Sequence, residues 1–278
     1  MLQSPIQQRT ISIIDYQNTV ALVTGAASGI GRALCLALAA RGARVIPADI
    51  NETGLAETAT LLGAPQDFLR ADLADPTAPA HLIETIFAKH HRLDLICSNA
   101  GLGRNKRLLK EPLDASADRL FAINYWAGLR FAQAYVSALQ THGARGRLML
   151  TASENSLSVP SAVRGAGLGL YAATKHALLI TAEWLRDELA SANAPLDLHV
   201  LLPGAVYTPL VAAAIPDPSK APPELGLIMP ESCANIALRG LDANLFYIPT
   251  HAHLAADMRP RLAAIDAALR TLGIEPGP

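Results

Sequence analysis

What this chain of 278 residues lacks is the first guide to what it is. It has no excess of either charge. Its 23 Lys and Arg against 24 Asp and Glu leave a net charge of −1, so nucleic acid or an anionic membrane surface meets no general attraction. No apolar run approaches the ~18 residues that a membrane-spanning helix needs. The first nineteen residues lack the basic start and apolar block of a secretory signal. Cys35, Cys97 and Cys233 are few, odd in number, far apart and set in apolar segments, the pattern of buried reduced thiols and not of a disulfide framework. No cluster has the composition of a metal site. His251 and His253 stand two apart without nearby acids or cysteines and read as a turn at a helix start. Internal repeats and low-complexity tracts are also absent. A cytoplasmic globular protein without a metal, acting on a small molecule, is the expectation, and 51% hydrophobic content can fill the core of one large domain.

What is there begins with Val20-Ala-Leu-Val-Thr-Gly-Ala-Ala-Ser-Gly-Ile-Gly31. Its first half is a short apolar run suited to a strand buried on both faces, and Arg32–Ala40 after it reads as a helix. Glycines at 25, 29 and 31 allow a tight turn and a close approach to the main chain, while the free N–H groups of a helix N-terminus favour an anion. Strand, glycine turn and helix in this order make a diphosphate site, although the spacing G-x-x-x-G-x-G differs from the commoner G-x-G-x-x-G.

Downstream segments repeat the alternation. Ala43–Asp49, Gln66–Arg70, Leu93–Ser98, Arg147–Ser153, Leu196–Pro203 and Asn244–Ile248 read as strands. Helices are expected at 78–91, 117–140, 170–193, 231–243 and, interrupted by proline, 252–272. Strands alternating with helices predict an α/β, Rossmann-type doubly wound parallel sheet of about seven strands in a single domain. Ligands of such sheets bind at the carboxyl ends of the strands, and Thr24, Asp49, Asp72 and Asn99 all fall there. Asp49, eighteen residues after Gly31, can accept both hydroxyls of an adenosine ribose and would repel a 2′-phosphate. No Lys or Arg directly follows it, which favours NAD over NADP. Tyr171 and Lys175 lie four apart, on one helical face. Residues 1–19 read as an N-terminal arm, 20–250 as the catalytic domain with a substrate loop at about 205–230, and 251–278 as a C-terminal helical extension. The Pro- and Ala-rich part of that loop, 209–230, is expected to lie over the ligand crevice. The basic cluster Arg104-Asn-Lys-Arg107 with Lys110 reads as a solvated loop.

Taken together, Thr24-Gly-Ala-Ala-Ser-Gly-Ile-Gly31, Asp49, Asp72-Leu73, Asn99-Ala-Gly101, Asn124, Ser153, Tyr171-x-x-x-Lys175 and Pro203-Gly-x-Val-x-Thr208 resemble the short-chain dehydrogenase/reductase superfamily, in its single-domain, NAD-preferring branch, over residues 18–250. The resemblance implies that Gly25, Ser28, Gly29, Ile30 and Gly31 hold the diphosphate of NAD(H), and that Asp49 and Ile50 hold the adenosine ribose. Asp72 and Leu73 border the adenine, and Asn99, Ala100 and Gly101 line the middle of the cofactor. Lys175 binds the nicotinamide ribose, beside Tyr171, and Pro203, Val206 and Thr208 meet the nicotinamide. It also implies a homotetramer, or a homodimer, built through the helices at 117–140 and 170–193. Two departures stand out. The eighteen positions from Ser153 to Tyr171 are several more than usual, and Ser98-Asn99 stands where two asparagines are common.

The expected reaction is hydride exchange between a secondary alcohol or ketone and the nicotinamide. A free tyrosine with a pKa of ~10 is a poor base at neutral pH. A neighbouring Lys175 ammonium favours the phenolate of Tyr171, which then serves as general base or acid. Ser153 orients the substrate oxygen, with Ser156 a nearby competitor, and Asn124 serves the proton relay of the family pattern. The alternatives are a catalytically silent NAD(H)-sensing protein, disfavoured by the complete Asn-Ser-Tyr-Lys set, and an elimination enzyme such as a dehalogenase, disfavoured by the intact glycine turn. Substrate contacts are expected from 101–107, 154–169 and 205–229. Leu102, Leu157, Val159, Leu168, Val206, Leu210, Val211, Ile215, Leu225 and Leu227 make that content apolar, with Arg104 and Arg164 nearby, and point to a bulky, apolar, aromatic or alicyclic alcohol.

Overall fold

The computed structural model describes residues 14–64 and 67–274. The run Val20–Thr24 forms β1, buried along its whole length. The chain then alternates through α1 (Gly29–Ala40), β2 (Arg44–Asp49), α2 (Glu52–Leu61), β3 (Leu69–Arg70), α3 (Ala78–His90), β4 (Leu95–Ser98), α4 (Ala115–Phe121), α5 (Ala127–Thr141) and β5 (Gly146–Thr151). It continues through α6 (Gly169–Ser191), β6 (Leu196–Leu202), α7 (Pro209–Ala212), α8 (Pro230–Asp242), β7 (Tyr247–Pro249) and α9 (Leu254–Thr271). The strands form one parallel sheet in the order β3-β2-β1-β4-β5-β6-β7. Winding reverses between β1 and β4, and a crevice opens at the carboxyl ends of these two strands.

Alternation along each strand feeds two separate cores. Val20 and Leu22 of β1, Ile96 of β4 and Leu148 and Leu150 of β5 join α3, α5 and α6 on one face of the sheet. Ala21 and Val23, Leu95 and Cys97, and Met149 join α1 and α8 on the other. A period of two in which both sets are apolar is what a sheet covered on both faces requires. All three cysteines are free and buried in the second core. Ile14 and Tyr16 of the arm are buried there too, and the Tyr16 hydroxyl donates to Asp242 Oδ1 at 2.7 Å. The rest of the expected arm, residues 1–13, lies outside the described residues, as do 275–278 of the C-terminal extension. Among the described residues no helix is long and apolar enough to cross a membrane.

Several elements differ from the sequence expectation, among them α9, which runs unbroken through Pro260 where an interruption was expected. β3 is only Leu69–Arg70, and Gln66, where it was expected to begin, lies outside the described residues. The last strand starts at Tyr247, because residues 243–245 close α8 and the Asn244 backbone takes a left-handed conformation at φ 51°. The expected continuous helix at 117–140 is interrupted. Ala122–Trp126 form one widened π turn between α4 and α5, in which the Ala127 N–H reaches the Ala122 carbonyl. Asn124 lies in this turn, and such insertions often mark functional sites.

Candidate active site

Thr24 ties the strand ends together at the switch point. Its Oγ1 accepts from the N–H groups of Asn99 (3.0 Å) and Ala100 (3.1 Å), and its carbonyl accepts from Asn99 Nδ2 at 3.2 Å. The chain can turn over this joint only at Gly25, whose φ is +68° and whose Cβ, if present, would lie 2.8 Å from Ala100 Cα. Gly31, in the first turn of α1, could not carry a Cβ without overlapping the Gly25 carbonyl. Its role is therefore the closeness of α1 to β1. Ser28 precedes α1 without a side-chain capping bond, so the first-turn N–H groups of α1 remain available at the wall formed by Ser28, Gly29 and Ile30.

Asp49 stands at the end of β2, where its Oδ2 accepts from Ala27 N at 3.1 Å and its Oδ1 from Asn51 N at 2.9 Å. The cap of α2 is Asn51, whose side chain accepts from Gly54 N. This leaves Asp49 at the border of two adjoining hollows. The larger, about 370 Å³, runs from Gly25, Ser28, Gly29, Ile30 and Asp49 past Asn99, Ala100 and Gly101 to Ser153, Tyr171, Lys175, Pro203, Val206 and Thr208. The smaller, about 120 Å³, is lined by Asp49, Ile50, Asp72, Leu73 and Arg119. Arg119 donates to both oxygens of Asp72, at 2.9 and 3.0 Å. A glycine cradle that Cβ atoms would fill, open helix N–H donors and a rim carboxylate beside an apolar side hollow fit a dinucleotide.

The polar side chains of the other half of the sheet converge on the same cleft. Ser153 follows β5 and caps a single 3₁₀ turn, Glu154–Ser156. Its Oγ accepts from the backbone N–H of Asn155 at 3.2 Å and lines the cleft, whereas Ser156 Oγ turns back to accept from Ser153 N at 3.2 Å. Ser156 is thus a capping group outside the cleft wall. Tyr171 and Lys175 lie one turn apart on α6. Lys175 is buried, its Nζ donates to the Thr151 carbonyl at 2.7 Å and stands 6.0 Å from the Tyr171 ring centroid. Burial lowers its ammonium pKa to about 8. The Tyr171 phenol is raised, first by burial, with the negative Glu154 adding to the rise and a hydrogen bond with Ser153 opposing it. The expected lowering of Tyr171 is therefore not the balance in this state, because burial and the charge of Glu154 outweigh the bond with Ser153. Asn124 is fully used: its Oδ1 accepts from Leu102 N (2.8 Å), and its Nδ2 donates to Leu102 O (2.9 Å) and Thr174 Oγ1 (3.1 Å). A Cβ on Gly101 would meet Asn124 Oδ1 at 3.3 Å and Lys175 Nζ at 3.5 Å, so the amide, the ammonium and this glycine enclose one small space.

Of the apolar residues expected to face substrate, Leu102, Val206, Leu210 and Val211 line the cleft, Leu157 packs against the core and Val159 is exposed. The loop 209–230 crosses the crevice through α7 and is pinned at its base by Tyr207 N to Ile228 O (2.9 Å) and Ile228 N to Ala205 O (3.1 Å). Arg104 departs from the reading of a solvated cluster. It forms an ion pair with Glu111 at 2.6 Å in which the Glu111 side chain is 1% exposed, while Lys106, Arg107 and Lys110 are exposed.

Several residues of the site have no local signature in the sequence. Glu154, directly after Ser153, is a buried acid that accepts from His253 Nε2 at 2.8 Å, from a residue 99 positions away. His251 beside it donates from Nε2 to Gly226 O at 2.9 Å, and its Nδ1 accepts from Gly204 N at 3.3 Å. Burial holds its pKa below the ordinary value, which suits a neutral ring. A Cβ on Gly204 would lie 2.7 Å from His251 Nδ1 and 3.0 Å from Glu154 Oε2, so only glycine lets this knot close behind the cleft. The two histidines do sit in the turn before α9, their rings 5.3 Å apart.

A sequence model of the family described as short chain dehydrogenase matches residues 19–219. The chain is 38% identical over 241 residues to 1-deoxy-11-beta-hydroxypentalenate dehydrogenase of Streptomyces avermitilis, covering 85% of this chain and 86% of the relative. Its fold is similar to that of a short-chain dehydrogenase/reductase from Burkholderia phymatum in complex with NAD (TM-score 0.80, 23% identity, 92% of this chain and 97% of the other). It is also similar in fold to a short-chain dehydrogenase from Sphingobium yanoikuyae in complex with NADPH (TM-score 0.71, 24% identity, 94% and 96%).

Proposed function

The chain belongs to the short-chain dehydrogenase/reductase family, and so to the NAD(P)-linked oxidoreductases of small organic molecules; from that premise we propose that it is an NAD-preferring dehydrogenase of bulky, apolar secondary alcohols and reductase of the matching ketones. The observation that carries this reading is the single cleft that Ser153, Tyr171 and Lys175 share with Gly25, Ser28, Gly29, Ile30 and Asp49. The first-turn amides of α1 hold the diphosphate, Asp49 the ribose hydroxyls, and Ile50, Asp72 and Leu73 the adenosine end. Asn99, Ala100 and Gly101 flank the middle, and Pro203, Val206 and Thr208 the nicotinamide end. A nicotinamide bound there would supply the hydride chemistry.

The chain's own groups manage the proton and the oxygen. Tyr171 takes the proton of the substrate hydroxyl, or returns it to the carbonyl oxygen. Ser153 donates to that oxygen and steadies its charge. Lys175, while protonated, favours the phenolate of Tyr171, and Asn124 holds the backbone of Leu102 and the neighbourhood of Lys175 in the relay. NAD preference is supported by Asp49 and by the state of Arg32, the guanidinium of the turn. Arg32 is engaged by Ala27 O, Gly54 O, Thr58 and Glu57 and is not free to meet a 2′-phosphate. Substrate bulk is supported by the apolar cleft side of Leu102, Val206, Leu210 and Val211, and by the hydroxylated substrate in the name of the Streptomyces avermitilis relative. Assembly as a tetramer or dimer through α5 and α6 is part of the same reading.

Titration of the purified protein with NADH and NADPH, followed by nicotinamide absorbance with a panel of alicyclic and aromatic secondary alcohols, tests it. The expected result is tighter NADH binding and turnover of panel members, with turnover lost and NADH binding retained in Tyr171→Phe. Substantial oxidation by that variant would refute the assignment of Tyr171, and equal binding of NADPH would refute the role of Asp49.

A further inference from the structure

α9 leaves the body of the protein. Leu254 at its start is buried, Ser161 Oγ donates to Asp257 Oδ1 at 3.3 Å and Arg261 donates to His176 of α6 at 3.3 Å. Every residue from Arg259 to Ile274 is nevertheless exposed. A helix that projects for most of its length gains little from packing, and isolated helices of about 12–15 residues are marginal in water. Its sequence is not that of a solvated arm. Leu262 (56% exposed), Ile265 (51%), Leu269 (38%) and Leu272 (70%) recur at intervals of three, four and three, and Met258 extends the series by four. This is the 3.5-residue repeat of a coiled-coil seam and not the broader stripe of a helix lying on its own core.

We propose that this seam pairs antiparallel with the same helix of a second copy of the chain. Charge identifies the occupant and the register. Setting Leu262 against the partner's Ile265, and Met258 against the partner's Leu269, pairs four of the five seam residues and leaves Leu272 opposite the partner's Ala255. By two-fold symmetry the same register brings Arg259 toward the partner's Asp266 twice, on the flank of the seam. Arg261, the neighbouring cation, is already turned to His176 of its own chain. The next antiparallel register, Leu262 against the partner's Leu272, would set Asp266 against the partner's Asp266. α9 enters the seam from the α6 stripe that begins at His176 and carries exposed Ile180 (52%) and Trp184 (67%) at successive turns, so the pairing continues an apolar face of the body.

The test is the mass of the native protein in solution, by sedimentation and light scattering across concentrations. Leu262→Glu combined with Leu269→Glu is expected to halve the assembly mass, with the melting curve of the body and any turnover kept, since both positions are exposed. Arg259→Asp or Asp266→Arg alone sets like charges together and is expected to raise the half-dissociation concentration about ten-fold. The double exchange Arg259→Asp with Asp266→Arg restores opposite charges and should return it to the starting value. An unchanged mass in the leucine variant would overturn the proposal. A fall in mass that the double charge exchange does not repair in parallel would overturn the antiparallel register.

Discussion

At the scale of single residues, the site is built from groups held away from their ordinary protonation. Lys175 has its ammonium pKa lowered by burial to about 8 from 10.5, so the folded protein releases a proton that the unfolded chain keeps between those values. Folded stability therefore rises with pH across that window, and the cost of the buried charge is fully present below it. Lys175→Met should accordingly stabilise the cofactor-free protein at pH 7 by on the order of 1–3 kcal/mol, after loss of the bond to Thr151, while abolishing turnover. Thermal melting of both proteins checks the sign, because the gain should shrink as pH approaches 10.5. Glu154 acts in the opposite sense on Tyr171, whose phenol its charge raises. Glu154→Gln keeps the shape and can still meet His253, so the rise of alcohol oxidation with pH should move to lower pH, by a few tenths to about one pH unit. A pH–rate profile that stays in place, or moves to higher pH, would show that the charge of the acid does not raise the phenol.

At the scale of elements, the glycine turn after β1 and the segment after β4 place very different demands on their glycines. A Cβ at Gly31 would overlap the Gly25 carbonyl, which is backbone and cannot step aside. Gly31→Ala should cost about 2–4 kcal/mol and separate α1 from β1, lowering dinucleotide affinity with it. Gly103 also faces a collision, but with the side chain of Leu210 on α7. Gly103→Ala should therefore leave stability within about 1 kcal/mol and instead push α7 off the cleft, raising KM for bulky substrates more than it changes kcat. Chemical denaturation and substrate kinetics on the pair separate the two cases. The same contrast marks what was legible in the sequence. Strands buried on both faces announce themselves as apolar runs, and glycine, Asp49 and the Tyr171/Lys175 spacing are local patterns. The π turn around Asn124 is not, because one extra residue in a hydrogen-bond ladder leaves the apolar period of 117–140 almost intact. The knot of Glu154, His251 and His253 was equally invisible, since its members are joined only by the return of the chain through β7. Arg104 looked like a solvated cation because its buried partner Glu111 sits across a loop turn that no periodicity describes.

At the scale of the whole molecule, the near-neutral charge and the apolar surface bear on assembly. Trp126 (44% exposed) in the π turn and Ile180 and Trp184 on α6 form a set of large apolar side chains that a monomer would leave in water. Tyr125 joins this turn to α6 through the bond that Thr181 Oγ1 donates to its hydroxyl at 3.3 Å, so the turn and α6 present these residues from one supported surface. Exposed patches of this kind mark interfaces. With a formal net charge of −1, long-range repulsion between copies is weak. If assembly runs through α5 and α6, Trp184→Glu buries a charge in the interface and should lower the mass in solution while leaving the isolated protomer folded. The seam on α9 is a second contact that continues this face, since its residues from Arg259 to Ile274 are exposed and leave the body. Combining Trp184→Glu with Leu262→Glu and Leu269→Glu should therefore reduce the protein to a monomer, where either set alone leaves one association intact. Sedimentation of the three proteins decides this. A monomer from Trp184→Glu alone would mean that the two contacts depend on each other, and that α9 pairs only once the α6 faces have brought two copies together.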